Sequence, residues 1–327
     1  PMFPEVRLRR LRQSAGIRKM LDAPLPAPSK FMWPTFVIDG EGQREAIDSM
    51  PGQCRLSVDQ LLLDLEPIVD SGVGSVLLFG LTQEAQKDFQ GSEAYNERGT
   101  VQRAISAVKN KFPDLIVAAD ACVCAYTDHG HCGPLTSAGL VDNDAAIANL
   151  AKICVSHANA GADIVAPSAM MDGQIQAIRA GLDSEGWKNT LLMSYSTKFA
   201  SSMYGPFRDA EQSKPGQGDR KSYQASPSDL RTALRESEFD EAEGADMLMI
   251  KPSLFYLDIL AELRAHTHLP LAAYNVSGEY SMLHATADRG WGDLKGMVQE
   301  STAALARAGA DILISYWANQ YNQFFKD

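Results

Sequence analysis

Short apolar runs recur along the chain, each following a stretch in which apolar residues return at every third or fourth position. Three of the runs open on one phrase. Gly161-Ala162-Asp163 precedes Ile164-Val165-Ala166-Pro167, Gly244-Ala245-Asp246 precedes Met247 to Ile250, and Gly309-Ala310-Asp311 precedes Ile312-Leu313-Ile314. A related phrase, Gly72-Val73-Gly74, precedes Val76-Leu77-Leu78-Phe79. The glycine supplies the left-handed conformation that closes a helix, and the run after it reads as a strand buried on both faces. Ser57 is placed to cap a helix with Val58, Leu61, Leu62 and Leu65 on one face, and Asp142 one with Ile147, Leu150, Cys154 and Ala158. Leu230, Leu234 and Ala242 mark a third helix, and Met297, Ala304 and Leu305 a fourth.

The pattern predicts strands at Pro34–Ile38, Ser75–Phe79, Leu115–Asp120, Asp163–Pro167, Thr190–Tyr195, Asp246–Lys251, Pro270–Asn275 and Asp311–Tyr316. Strands alternating with helices in this number fit an α/β (β/α)8 TIM barrel. A doubly wound open sheet is the alternative, but neither G-x-G-x-x-G nor a Walker sequence follows any strand. No strong linker divides the chain, so residues 31–327 are expected to form one barrel, with residues 1–30 as an extended N-terminal arm. The arm carries Arg7, Arg9, Arg10, Arg12, Arg18 and Lys19 with no uninterrupted apolar stretch behind them, so a secretory signal is not expected and a reducing cytoplasm is.

Composition narrows the functions. With 30 basic and 41 acidic residues the net charge is −11, which argues against general nucleic-acid binding. No apolar run approaches the roughly 18 residues of a membrane helix. Hydrophobic residues make up 45% of the 327, ample for a core, so disorder is excluded as well.

Barrel chemistry sits at the C-terminal ends of strands, and those ends carry Phe79, Asp120, Ser168, Tyr195 with Lys198, Lys251, Ser277 and Tyr316. Lys198 and Lys251 fall on successive strands, where like charge and an apolar wall both favour the neutral amine that attacks a carbonyl. Cys122, Cys124 and Cys132 lie in one loop, and three thiolates suit Zn2+ with a fourth position left for water or substrate. His129 and His131 are further candidate ligands, whereas Cys54 and Cys154 read as packing residues. Over 198–224 the basic Lys198, Arg208, Lys214, Arg220 and Lys221 outnumber Asp209, Glu211 and Asp219. Gly205, Pro206, Pro215, Gly216 and Gly218 keep that segment irregular. A basic flap above a reactive lysine points to a substrate bearing a carboxylate.

Four longer phrases carry a family resemblance. They are Gly244 to Tyr256, Met193 to Ser202 with Tyr204 to Arg208, Gly218 to Gln224, and Val276 to Tyr280. Over nearly its whole length the chain resembles the porphobilinogen synthases, also called 5-aminolevulinic acid dehydratases. The resemblance implies condensation of two 5-aminolevulinate molecules to porphobilinogen, with loss of two waters, in tetrapyrrole (heme) biosynthesis. It implies that Lys251 forms a Schiff base with the first-bound substrate and Lys198 one with the second. Ser277 and Tyr316 would hold the first carboxylate, and Arg208, Arg220 and Gln224 the second. Asp120 and Tyr195 would move protons or position groups beside the lysines, and Phe79 and Phe207 would form apolar walls. Cys122, Cys124 and Cys132 match the zinc-type members, and Glu236 matches the glutamate of an allosteric Mg2+ site in some of them. The family's assembly is a homo-octamer with the N-terminal arm on a neighbouring barrel. Two other readings compete: a class I Schiff-base aldolase, which needs neither the thiol cluster nor a second lysine, and a non-catalytic zinc-binding barrel.

Overall fold

The structure is a computed structural model that describes residues 5–212 and 219–326. Lys214, Pro215, Gly216 and Gly218 of the basic segment lie outside the described residues. The strands are β1 (Phe31–Val37), β2 (Arg44–Ala46), β3 (Cys54–Leu56), β4 (Ser75–Gly80), β5 (Ile116–Ala121), β6 (Ile164–Pro167), β7 (Leu191–Lys198), β8 (Met247–Lys251), β9 (Leu271–Asn275) and β10 (Ile312–Ser315). Parallel pairing runs β1-β4-β5-β6-β7-β8-β9-β10, and β10 returns to β1 through Phe31↔Leu313 and Met32↔Ile314. The eight strands thus close into the (β/α)8 barrel expected from the pattern, with helices between successive strands. The chain covers the closure from outside, where Tyr321 and Phe325 pack on the Phe31 ring at 5.2 and 4.9 Å.

The repeated glycine phrase has a structural counterpart at the strand entrances. Gly161, Gly244 and Gly309 take φ of 104°, 105° and 120°, where a Cβ is strained, and turn the chain from helix into strand. The aspartate two residues on then stitches two strands together. Asp163, Asp246 and Asp311 donate backbone N–H groups to the carbonyls of Val117, Leu192 and Leu271. Their carboxylates accept the N–H groups of the same three residues at 2.8, 2.8 and 2.9 Å. Lys109 and Arg264 neutralise two of these carboxylates.

The sequence did not announce the antiparallel hairpin of β2 and β3, whose β3 extends the sheet beside the end of β1. Each strand is three residues long, and β2 is exposed throughout, so neither has an apolar run. Capping was also only half as expected. Asp142 accepts from Ala145 N and opens the helix Asn143–Ala160. Ser57 occupies the cap position of Val58–Asp70, but its hydroxyl turns to Asp59 and Gln43 instead.

Residues 8–12 and 15–21 form short helical turns ahead of β1 with no buried side chain. Among the described residues no helix is long and apolar enough to cross a membrane.

Candidate active site

The strand ends converge on Lys251, the last residue of β8, which is 2% exposed. Its Nζ lies 4.4 Å from the Tyr274 ring centroid and 4.5 Å from that of Phe207. Tyr195, Tyr204 and Phe79 complete the wall at 5.2, 5.5 and 5.6 Å. Its backbone carbonyl is held by Phe199 N at 2.8 Å and the Tyr204 hydroxyl at 2.9 Å. Burial, then the neighbouring charge of Lys198, brings the Lys251 amine down to about 7, against the pull of Asp120 and Glu211.

Lys198 is the register partner of Lys251 across β7 and β8, and its Nζ donates to the Ser168 carbonyl at 2.9 Å. A bulge in β7 makes this possible. The register shifts between Ser194 and Thr197, so Tyr195 and Ser196 together oppose Met249. Ser196 and Thr197 both turn outward, to Ser237 and the Ala233 carbonyl on the surrounding helix. Tyr195 and Lys198, three positions apart, can then both face inward; strict alternation would place them on opposite faces.

Asp120, the penultimate residue of β5, feels the charges of both amines. Its Oδ1 is out of contact with water and without a hydrogen-bond partner. Burial, reinforced by Glu211, raises its carboxyl to about 6, although both lysines pull the other way. The three cysteines follow directly in the loop 122–142. Their Sγ atoms lie within 4.8 Å of one another and all are buried, with Cys122 and Cys124 3.3 Å apart. Sulfurs bound tetrahedrally to Zn2+ would sit about 3.8 Å apart, so the donor set fits a soft divalent cation after small adjustments. Glu211 approaches Cys124 Sγ at 3.8 Å through Oε2. His131 turns toward the Tyr223 hydroxyl at 3.3 Å, while His129 lies against the Phe89 carbonyl at 3.2 Å.

The polar groups fall into two sets. Ser277 opens the helix Ser277–Asp288; its Oγ accepts from Phe207 N at 2.9 Å. Tyr316 follows β10, with its hydroxyl 3.2 Å from that of Tyr274. On the flap, Arg220 is buried and donates to the Gly130 carbonyl at 3.1 Å. Burial and then the Arg220 charge lower the Arg208 guanidinium. Both polar atoms of the Gln224 amide are buried with no hydrogen-bond partner. The flap is not wholly irregular, since Gly205–Glu211 is a short helix bearing Phe207 and Arg208.

Glu236 stands apart from this site. It lies on the helix Leu230–Ala242, outside the barrel, in a groove with Asp172, Asp240 and Glu243. Partial burial, then the charges of Asp172 and Glu243, raise its own carboxyl against the pull of Arg235. Tyr204 and Tyr274, which contact Lys251, carry little signal in the sequence: by pattern Tyr274 is one more apolar strand residue, and Tyr204 has no charge or spacing that marks it.

A closed parallel barrel with two lysines paired at its strand ends and three thiols beside them has the arrangement of a (β/α)8 enzyme. The comparisons narrow the class. The family model of delta-aminolevulinic acid dehydratase matches residues 5–324. A protein of that name from Halalkalibacterium halodurans is 49% identical over 321 residues, 98% of this chain and 97% of its own length. Its Escherichia coli counterpart is 48% identical over 312 residues, 95% of each chain. The crystal structure of the Toxoplasma gondii enzyme, solved with its reaction product porphobilinogen, superposes with a TM-score of 0.95 at 43% identity, covering 98% of this chain and 91% of that one. The chain belongs to the delta-aminolevulinic acid dehydratase family, the porphobilinogen synthases, and is a lyase.

Proposed function

We propose that this chain joins two molecules of 5-aminolevulinate into porphobilinogen, releasing two waters, with Lys251 and Lys198 as the amines that take up the two ketones. The register pairing of those lysines in the barrel mouth carries the reading. Each amine attacks a ketone carbon and expels its oxygen as water, giving a Schiff base. Lys251 is primed for this step because its apolar wall favours the neutral amine. Ser277 and Tyr316 hold the carboxylate of the first substrate. Arg208, Arg220 and Gln224 hold the second, and the two buried Gln224 amide atoms without partners support that role. Asp120, with its carboxyl raised toward neutrality, exchanges protons beside both amines, and the Tyr195 hydroxyl orients the reacting groups there. Phe79 and Phe207 exclude water from the Schiff base at Lys251.

Cys122, Cys124 and Cys132 hold a catalytic Zn2+, as their softness and clustering favour. When bound, that ion supplies Lewis-acid polarisation next to the second substrate. Glu236 contributes to a Mg2+ site outside the barrel. Residues 1–30 form an arm, residues 31–327 the catalytic unit, and arms link subunits into a homo-octamer in the cytoplasm.

The assay is direct. Purified protein with Zn2+ and thiol is given 5-aminolevulinate, and the pyrrole is read with Ehrlich's reagent. Absence of pyrrole under those conditions would overturn the proposal. Borohydride trapping separates the competing readings: a class I aldolase would need only one labelled lysine, and a scaffold none.

A further inference from the structure

Glu279 is fully buried, at 0% exposed, and has no part in the chemistry above. No ion-pair partner stands beside it among the described residues. Its environment is instead a ring of N–H donors. Oε1 accepts from Leu254 N at 2.9 Å, and Oε2 accepts from Val276 N and from the Asn275 side chain, both at 3.0 Å. The Ser253 N–H lies close enough to favour the charged form as well. Burial raises this carboxyl to about 7, and these bonds offset part of the cost of its charged form.

The donors come from two places only. Ser253 and Leu254 follow Lys251 by two and three residues, while Asn275 and Val276 immediately precede Ser277. The ladder between β8 and β9 stops below this point, its last pair being Ile250↔Ala273. Glu279 therefore supplies the cross-link that the sheet no longer provides, between the strand end bearing the amine and the turn bearing the hydroxyl.

We propose that Glu279 is a positioning residue that fixes the separation of the Lys251 amine from the Ser277 hydroxyl, and through it the length of keto acid that reaches both. The inference rests on the reading that Lys251 takes the ketone and Ser277 the carboxylate. Glu279→Gln is nearly isosteric but turns an NH2 toward N–H donors, so one of the two turns is released.

The test uses the metal-loaded enzyme, borohydride, and two keto acids differing by one methylene, levulinate and 5-oxohexanoate, with the label at Lys251 quantified by mass mapping. The native enzyme labels faster with levulinate. In Glu279→Gln, labelling by levulinate slows by about tenfold and the preference over the longer acid collapses, the scale expected when a reacting group moves by a fraction of an ångström. Metal stoichiometry stays unchanged. A variant that melts earlier but keeps the native preference overturns the proposal, because a merely structural residue does not alter chain-length choice. Glu279→Asp, which keeps the charge but cannot span both turns, is read the same way if the glutamine variant does not fold. Failure of both to fold also overturns it, by making Glu279 structural. No label at Lys251 in the native enzyme defeats the Schiff-base reading itself, and the inference with it.

Discussion

Lys251 places function and stability in opposition at a single side chain. Its ordinary value is 10.5 and its folded value about 7, so between the two the unfolded chain carries a proton that the folded chain does not. Stability contributed at this position therefore rises with pH across that window, and the penalty is full below about 7. Lys251→Met should abolish pyrrole formation yet raise the thermal midpoint at pH 7, with the gain shrinking as pH approaches 10.5; a lower midpoint at pH 7 would contradict the burial argument. In the native enzyme, the rate of borohydride labelling at Lys251 should climb through about pH 7 and then level off. The thiols act differently. Removing metal with a chelator, or substituting Cys124→Ala, should end turnover without changing far-ultraviolet circular dichroism. Full activity in metal-free protein would contradict the role given to the cysteines. Both lysines and the three cysteines were legible in the sequence, because strand ends and clustered thiols are local signals. Glu279 was not, since an acid near the start of a helix normally reads as a solvated residue. Its partners come together only when the segment after Lys251 meets the segment around Ser277.

Among the elements, β7 shows what residue pattern alone leaves open. The run Leu191 to Tyr195 announced a strand, but the strand continues to Lys198 with an extra residue accommodated by its bulge. Alternation could not reveal that Tyr195 and Lys198 share a face. The helix Ser277–Asp288 makes a second case. A Cβ on Gly278 would come within 2.4 Å of the Met203 carbonyl oxygen, so glycine is what lets the base of the flap dock. Gly278→Ala should push Met203 away and break the Phe207–Ser277 hydrogen bond. The KM for 5-aminolevulinate should then rise by at least about tenfold, as expected for a displaced binding element. An unchanged KM would show that the flap is seated by other contacts.

For the whole molecule, periodicity was sufficient for the barrel. Four glycine phrases and eight apolar runs predicted its strands to within a few residues, except for the hairpin of β2 and β3, which is too short and polar to carry a pattern. The arm is less legible because most of its apolar residues ahead of residue 22 face away from this chain, although Leu25 packs on the core. Val6 and Leu8 are 78% and 68% exposed, and Met20 is 74% exposed. Exposure of this kind is what a surface awaiting a second subunit has. If the arm links subunits as proposed, deleting residues 1–22 should give smaller species in light scattering while leaving the thermal transition of the barrel in place. An unchanged mass would remove the arm from the assembly.

The seam between β1 and β10 joins the first barrel strand to the last through two residue pairs. A growing chain cannot make that joint until residues 312–315 have left the ribosome. Until then β1 and β9 are open edges, each a template for foreign strands. Lys251 is synthesised long before that moment, but the enclosure that gives it a neutral amine includes Tyr274 and relies on the completed ring. If Lys251 is the reacting amine, as proposed, an unfinished chain lacks the complete enclosure around it, and closure by the last strand completes the site.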